Sequence, residues 1–290
     1  MGDAENLFQK IALRSATSLE LDRQSLAGQI MKNASGMGSD GYASRRCDTR
    51  RANLCLRIGI DKLAWTILTI VLLSGCVRSR TGEDAVAIDL TPMYGAIEKS
   101  PRQQQEDARF IRDATAEFGS RQAASATIAQ EAWQRYREDD PRGAMRRFNQ
   151  VWLLEPDSPQ SYWGFGVILH ERGQVDDALA MLYRAFEIDP SSPRLIADIA
   201  WVTGSKAVQT TGAAERSELF SHANELFAQA TTRDQSNGYL YGLWAITLYD
   251  QGRYVEAWEK VHEAQELRSP PPEKFLRMLR DKLPEPRTQP

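Results

Sequence analysis

The residues of this chain that could carry chemistry are few and scattered. Its three histidines, His170, His222 and His262, stand far apart, and none falls in a metal-ligand spacing such as HxxxH. Paired carboxylates occur twice, at Asp139–Asp140 and Asp176–Asp177. Two neighbouring acids can divide acid and base roles. Both pairs, however, stand where helices are expected to start, and negative charge there complements the helix dipole, so capping is the role expected of them. A hydrolase using a carboxylate at Glu171, Asp198 or Asp250 is a further reading, without a Gly-rich phosphate loop or a nucleophile elbow to support it. The expectation is a protein that is not an enzyme, with no metal, no cofactor and no small-molecule substrate. A formal charge of −3 offers no basic surface for nucleic acid.

The elements around these residues share a period. Pro156 and Pro190 are 34 residues apart and each closes an apolar helical stretch. Ala144 and Ala178, Phe148 and Leu182, Val151 and Ala185, and Ala223 and Ala257 keep the same spacing. The clearest unit runs from Pro159 to Ser192. Ser158 is expected to cap its first helix, with Pro159 at the first helical position. Gly166 is small where two helices must approach, and Gly173 suits a left-handed helix end. Leu182, Ala185 and Ile188 continue the buried stripe of the second helix. A period near 34 marks an array of helix–turn–helix units that stack into one elongated core.

These residues resemble the tetratricopeptide repeat (TPR) family. Gly166, Ala178, Leu182, Ala185 and Pro190 match its small, aromatic-or-large, Ala and Pro positions. The unit before supplies Ala132, Ala144, Phe148, Val151 and Pro156. The last supplies Ala245, Gly252, Tyr254, Ala257, Val261 and Ala264, with Ser269–Pro270 where the closing proline belongs. The third unit fits at Ile199, Ala200, Ala223, Phe227 and Ala230, but 45 residues separate Pro190 from its counterpart Gln235, eleven more than the period. Its first helix is expected to run from Pro193 to about Val202. The extra, Thr/Gly/Ala-rich segment around 206–216 is expected to form a long inter-helix loop, or a functional loop beside the binding face. The resemblance covers Ser125 to Pro270 and implies an all-α TPR solenoid of about four repeats. Flanking capping helices are expected at Pro101 to Phe118, with Ala108, Ile111, Ala114 and Phe118 on one side, and at Glu273 to Leu283, with Phe275, Leu276, Leu279 and Leu283 inward.

In the TPR family the first helix of each unit lines a concave groove. Carried over, that groove would display Trp133, Tyr136 and Arg137; Gln160, Trp163, Val167, His170 and Glu171; Arg194, Asp198 and Trp201; and Tyr239, Leu243, Ile246, Tyr249 and Asp250. Aromatic residues dominate binding energy at protein interfaces, so the resemblance implies a groove for an extended or helical segment of a partner protein. The alternative is that several of these side chains pack against the neighbouring repeat or the helix at 101–118.

Upstream, Leu63 to Gly75 is an apolar run of 13 residues with Arg57 and Lys62 ahead of it and Cys76 behind it. It falls short of the roughly 20 residues that span a bilayer and has the length of a signal-peptide core. Leu73-Ser74-Gly75-Cys76 resembles the lipobox of bacterial lipoproteins, which implies cleavage before Cys76 and acylation of its thiol. A short anchoring or buried helix is the other reading. Residues 57–75 would be the signal peptide, 76–100 a tether, 101–283 the solenoid and 284–290 a disordered tail. Residues 1–56 are then expected to be a non-native or disordered extension, with a start near residues 54 to 60; a basic cytoplasmic tail, with Arg45, Arg46, Arg50, Arg51 and Arg57, is the alternative. The three cysteines, Cys47, Cys55 and Cys76, all precede the solenoid, so packing alone must stabilise it. Val77 is not the Asp associated with inner-membrane retention in enteric lipoproteins, which favours the periplasmic face of the outer membrane over the inner membrane. The expected role is a lipid-anchored envelope adaptor. The alternatives are a pilotin-like factor for type IV pilus or secretin assembly, and a cytoplasmic or inner-membrane TPR co-chaperone if Cys76 is not processed.

Overall fold

The computed structural model describes residues 88–286 of the chain. After short 3₁₀ turns at Ile88–Leu90 and Pro92–Ala96 come ten α-helices, and no strand occurs among the described residues. They are α1 (Pro101–Phe118), α2 (Arg121–Arg137), α3 (Pro141–Leu154), α4 (Pro159–Glu171), α5 (Val175–Ile188), α6 (Pro193–Gln209), α7 (Ala213–Arg233), α8 (Gly238–Asp250), α9 (Tyr254–Glu266) and α10 (Glu273–Lys282).

Helices α2–α3, α4–α5, α6–α7 and α8–α9 pack as hairpins, each joined by three residues, and each hairpin rests on the next. Three of the turns are built alike. Gly173 and Gly252 take left-handed φ of 76° and 79°, and Asp139 holds the same place at 69°. The next amide in each closes back on the helix: Asp140 N–H donates to Arg135 O, Gln174 to Leu169 O and Arg253 to Leu248 O, all at 3.0 Å. This is a helix end that satisfies carbonyls otherwise left open. Of the two carboxylate pairs expected to cap helices, only one does so: Asp140 accepts from the Gly143 N–H at 2.7 Å, whereas no side chain caps α5 and Asp176 instead pairs with Lys206 at 2.9 Å. Ser158 departs from expectation: its side chain caps nothing, and its carbonyl instead accepts from the Ser161 hydroxyl at 2.8 Å.

The 34-residue period marks the core. Ala132, Ala200 and Ala245 on the first helices are fully buried, as are Ala144, Ala178, Ala223 and Ala257 on the second. So are Phe148, Leu182, Phe227 and Val261, and Val151, Ala185, Ala230 and Ala264. At Gly166 an added Cβ would lie 2.6 Å from Leu182 Cγ and 3.0 Å from the Ala178 carbonyl oxygen. Glycine there is what lets α4 and α5 approach.

The expected long loop at 206–216 does not exist. Helix α6 has 17 residues against 13 in α4, and α7 has 21 against 14 in α5. The eleven extra residues are therefore taken up as added helical turns, leaving only Thr210–Gly212 between the helices. Ala207 on the added turn is fully buried. Arg216 closes the junction by donating to the Thr210 carbonyl from Nε at 3.0 Å and Nη2 at 2.8 Å.

The ends close largely as expected. On α10, Phe275, Leu276 and Leu279 are buried and Leu283 packs beside them, its carbonyl taking the Trp258 indole N–H at 3.0 Å. On α1, Ala114 is buried, and Ile111 and Phe118 pack with Phe110 against Ile128, Val151 and Leu154. Ala108 is exposed; Phe110, one turn before Ala114, takes the place expected of it. Within the segment 76–100 expected as a tether, the described residues from 88 onward are held against the helices. Fully buried Asn149 donates to the carbonyls of Asp89 (3.0 Å) and Thr91 (2.9 Å) and accepts from the Tyr94 N–H (3.3 Å). Arg172 holds the Leu90 carbonyl at 2.9 Å. Residues 88–94 are thus tied to α3 and to the end of α4.

Candidate partner-binding groove

The first helix of every hairpin contributes to one cavity of about 280 Å³. Gln130, Trp133 and Arg137 come from α2; Gln160, Trp163 and Val167 from α4; Arg194 and Asp198 from α6; Tyr239 from α8. Trp133 and Trp163 meet edge to face, with ring centroids 5.2 Å apart, an arrangement that suits aromatic quadrupoles.

A ladder of hydrogen bonds positions these side chains. Trp133 Nε1 donates to Gln160 Oε1 at 2.8 Å, and Trp163 Nε1 to Asp198 Oδ2 at 2.7 Å. Tyr239 OH donates to Asp198 Oδ1 at 2.5 Å. Beside the cavity, Tyr136 OH donates to Glu171 Oε1 at 2.5 Å. Three rungs, Tyr136–Glu171, Trp163–Asp198 and His170–Ser205, span 35 residues each. One period plus one residue is the offset that faces a side chain across to the next first helix.

Both Asp198 oxygens accept, yet burial pushes the carboxyl above the usual range, with the Tyr239 and Trp163 donors opposing that shift. Burial, with Asp198 adding to it, likewise raises the Tyr239 phenol, and burial with Glu171 raises that of Tyr136. His170 is brought down to about 4 by desolvation. Ser205 Oγ donates to the Trp201 carbonyl at 3.2 Å and lies 2.9 Å from His170 Nε2.

Of the residues expected in the groove, Trp133, Arg137, Trp163, Val167, Asp198 and Tyr239 line this cavity, as do Gln160 and Arg194. Tyr136 is fully buried beneath it. His170 and Trp201 face each other, centroids 4.3 Å apart, and Trp201 is 5 % exposed. Tyr249 packs at the far end against Phe275, at 5.7 Å, and Tyr254. Gln130 was not foreseen; it stands one turn before Trp133 on the same helix face, the spacing that could have found it.

No family model matches the chain, and no curated protein matches it. Cys76 and the apolar run before it lie outside the described residues. Among the described residues no helix is long and apolar enough to cross a membrane.

Proposed function

We propose that this protein is a lipid-anchored adaptor of the bacterial envelope, a TPR-type array that holds a segment of a partner protein on its first helices. The observation that carries the reading is the cavity to which all four first helices contribute, walled by Trp133, Trp163 and Tyr239. Aromatic walls of this kind anchor protein partners, and stacked hairpins make extended binding surfaces. The anchor rests on the lipobox-like Leu73-Ser74-Gly75-Cys76, and Val77 behind it, in place of an Asp, favours the periplasmic face of the outer membrane. Pilotin-like assembly work and other envelope scaffolding share this outline.

A photoreactive benzophenone side chain at Gln130, on the exposed rim, tests the groove against the same probe at Val255, 58 % exposed on α9. In the native host, adducts from position 130 and none from 255 are expected. Equal adducts, or none at 130, would sink the groove. The anchor is tested by the mass of the membrane-purified chain beside a Cys76→Ala control. A chain beginning at acylated Cys76 is expected; a free thiol behind an intact N-terminus would leave a cytoplasmic or inner-membrane co-chaperone as the better reading.

A further inference from the structure

Residues 88–99, ahead of α1, are held on the array mostly by polar contacts. Asn149 is fully buried and commits its whole side-chain amide to them. Its Nδ2 donates to the Asp89 and Thr91 carbonyls, and its Oδ1 accepts from the Tyr94 N–H. Arg172 donates to the Leu90 carbonyl and Arg146 pairs with Asp89. Lys99 pairs with Asp107 of α1 and lies 4.1 Å from the centroid of the Tyr94 ring. Apolar burial adds little. Leu90 alone of the segment is buried, Met93 packs in part, and Ile88 and Ile97 are exposed.

Against these contacts stands the backbone. Met93, Tyr94, Gly95 and Ala96 follow one another with φ of 52°, 55°, 73° and 50°. Left-handed backbone is ordinarily visited one residue at a time, and by glycine. In this run three of the four residues carry a Cβ that crowds the following carbonyl. Such strain persists only where its surroundings hold it. The holders here are hydrogen bonds that exchange for water on release, so each contributes little net. The segment is therefore finely balanced, whereas the paired helices share one continuous apolar core.

We propose that residues 88–99 are a releasable clasp that sets how far the array reaches from its anchor. Docked, the segment joins the array at Ile88, 12 residues after Cys76 (88 − 76). Released, the chain meets the array only at α1, where Ser100 stands 24 residues after Cys76 (100 − 76). At about 3.3–3.6 Å per residue, the leash lengthens from at most about 40 Å to at most about 80 Å. A partner held beyond the shorter reach selects the released state. The clasp is independent of the anchor; the leash rests on the lipid-anchor reading.

The test pulls the full chain, carrying Cys47→Ser and Cys55→Ser, in an optical trap between handles on Cys76 and on Val255→Cys. A reversible gain in length of up to about 40 Å, the release of some 12 residues, is expected at a lower force than any helix unfolds. Asn149→Ala should abolish the step, because the segment is then already released. Ala96→Gly relieves one left-handed residue on the exposed turn and should raise the force of the step. Helical content should stay unchanged in both. No step before the helices unfold, a step that persists in Asn149→Ala, or a force that Ala96→Gly leaves unchanged overturns the clasp. The mass of the membrane-purified chain separates the two readings. A step together with a free Cys76 thiol keeps the clasp and removes the leash. An acylated Cys76 without the step keeps the anchor and removes the clasp.

Discussion

Hairpins α4–α5 and α6–α7 carry the same kinds of buried residue at the same places, yet their helices differ in length by four and seven residues. Ala178 and Ala223, Leu182 and Phe227, and Ala185 and Ala230 are all fully buried. The difference shows that such an array fixes the crossing point of each pair and leaves the helix ends free to grow. A helix can lengthen beyond its crossing at little cost, because each added residue makes its own backbone hydrogen bond.

The two hairpins should respond alike where they are alike. Phe227→Ala is expected to lose about 3–5 kcal/mol and Leu182→Ala about 2–5 kcal/mol in denaturant unfolding, the range for emptying a buried site. A loss under about 1 kcal/mol at Phe227 would mean that the long hairpin is held differently. They should part where the small residue differs. Gly166→Ala puts a methyl 2.6 Å from Leu182 Cγ and against the Ala178 carbonyl, so a loss of about 1–3 kcal/mol is expected from overpacking. At the equivalent place in the long hairpin a methyl is already seated, at Ala200. There Ala200→Gly should lose about 1 kcal/mol through helix propensity.

The contact between the hairpins should depend on pH through His170, which joins α4 to Ser205 of α6. Its folded pKa of about 4 lies below the roughly 6.5 of an unfolded histidine, so the unfolded chain binds more protons between those values. The stability is present above about pH 6.5 and is lost as pH falls toward 4, by at most about 3 kcal/mol, since the ring is not wholly closed to solvent. Asp198 has the opposite sign, because a raised carboxyl pKa stabilises at low pH and loses that as pH rises. The difference between wild type and His170→Gln isolates the histidine; parallel pH profiles would refute its role. The smallest effect is expected at the junction of the long hairpin. Arg216→Ala removes hydrogen bonds from an exposed side chain and should shift stability by no more than about 0.5 kcal/mol, whereas a larger loss would mark Thr210–Gly212 as a strained hinge.

Much of the frame was legible in the residues themselves. The 34-residue spacing of Ala178, Leu182 and Ala185 pointed to the buried stripes, and Gly173 to a left-handed helix end. The segment at 206–216 was misread because its Thr, Gly and Ala residues carry no strong helical period. Its first helix nonetheless continues through the buried Ala207 to Gln209. Ala108 was placed inward by helix spacing, but α1 is rotated so that Phe110 meets Ile128 and Leu154. Residues 88–94 offer little pattern of their own; it is Asn149, 55 to 60 residues away, that fixes them.

The sequence by itself determined that these helices pair, where each pair crosses and which small residues permit it, because such contacts join residues close along the chain and repeat with one period. The tertiary structure decided which of the expected groove residues line a cavity and which are buried. Trp163, Arg137 and Arg194 line a cavity, whereas Tyr136, His170 and Trp201 turn into the array. That division depends on how each hairpin is set against the next, and the 35-residue hydrogen-bond ladder across the first helices forms only once they are stacked.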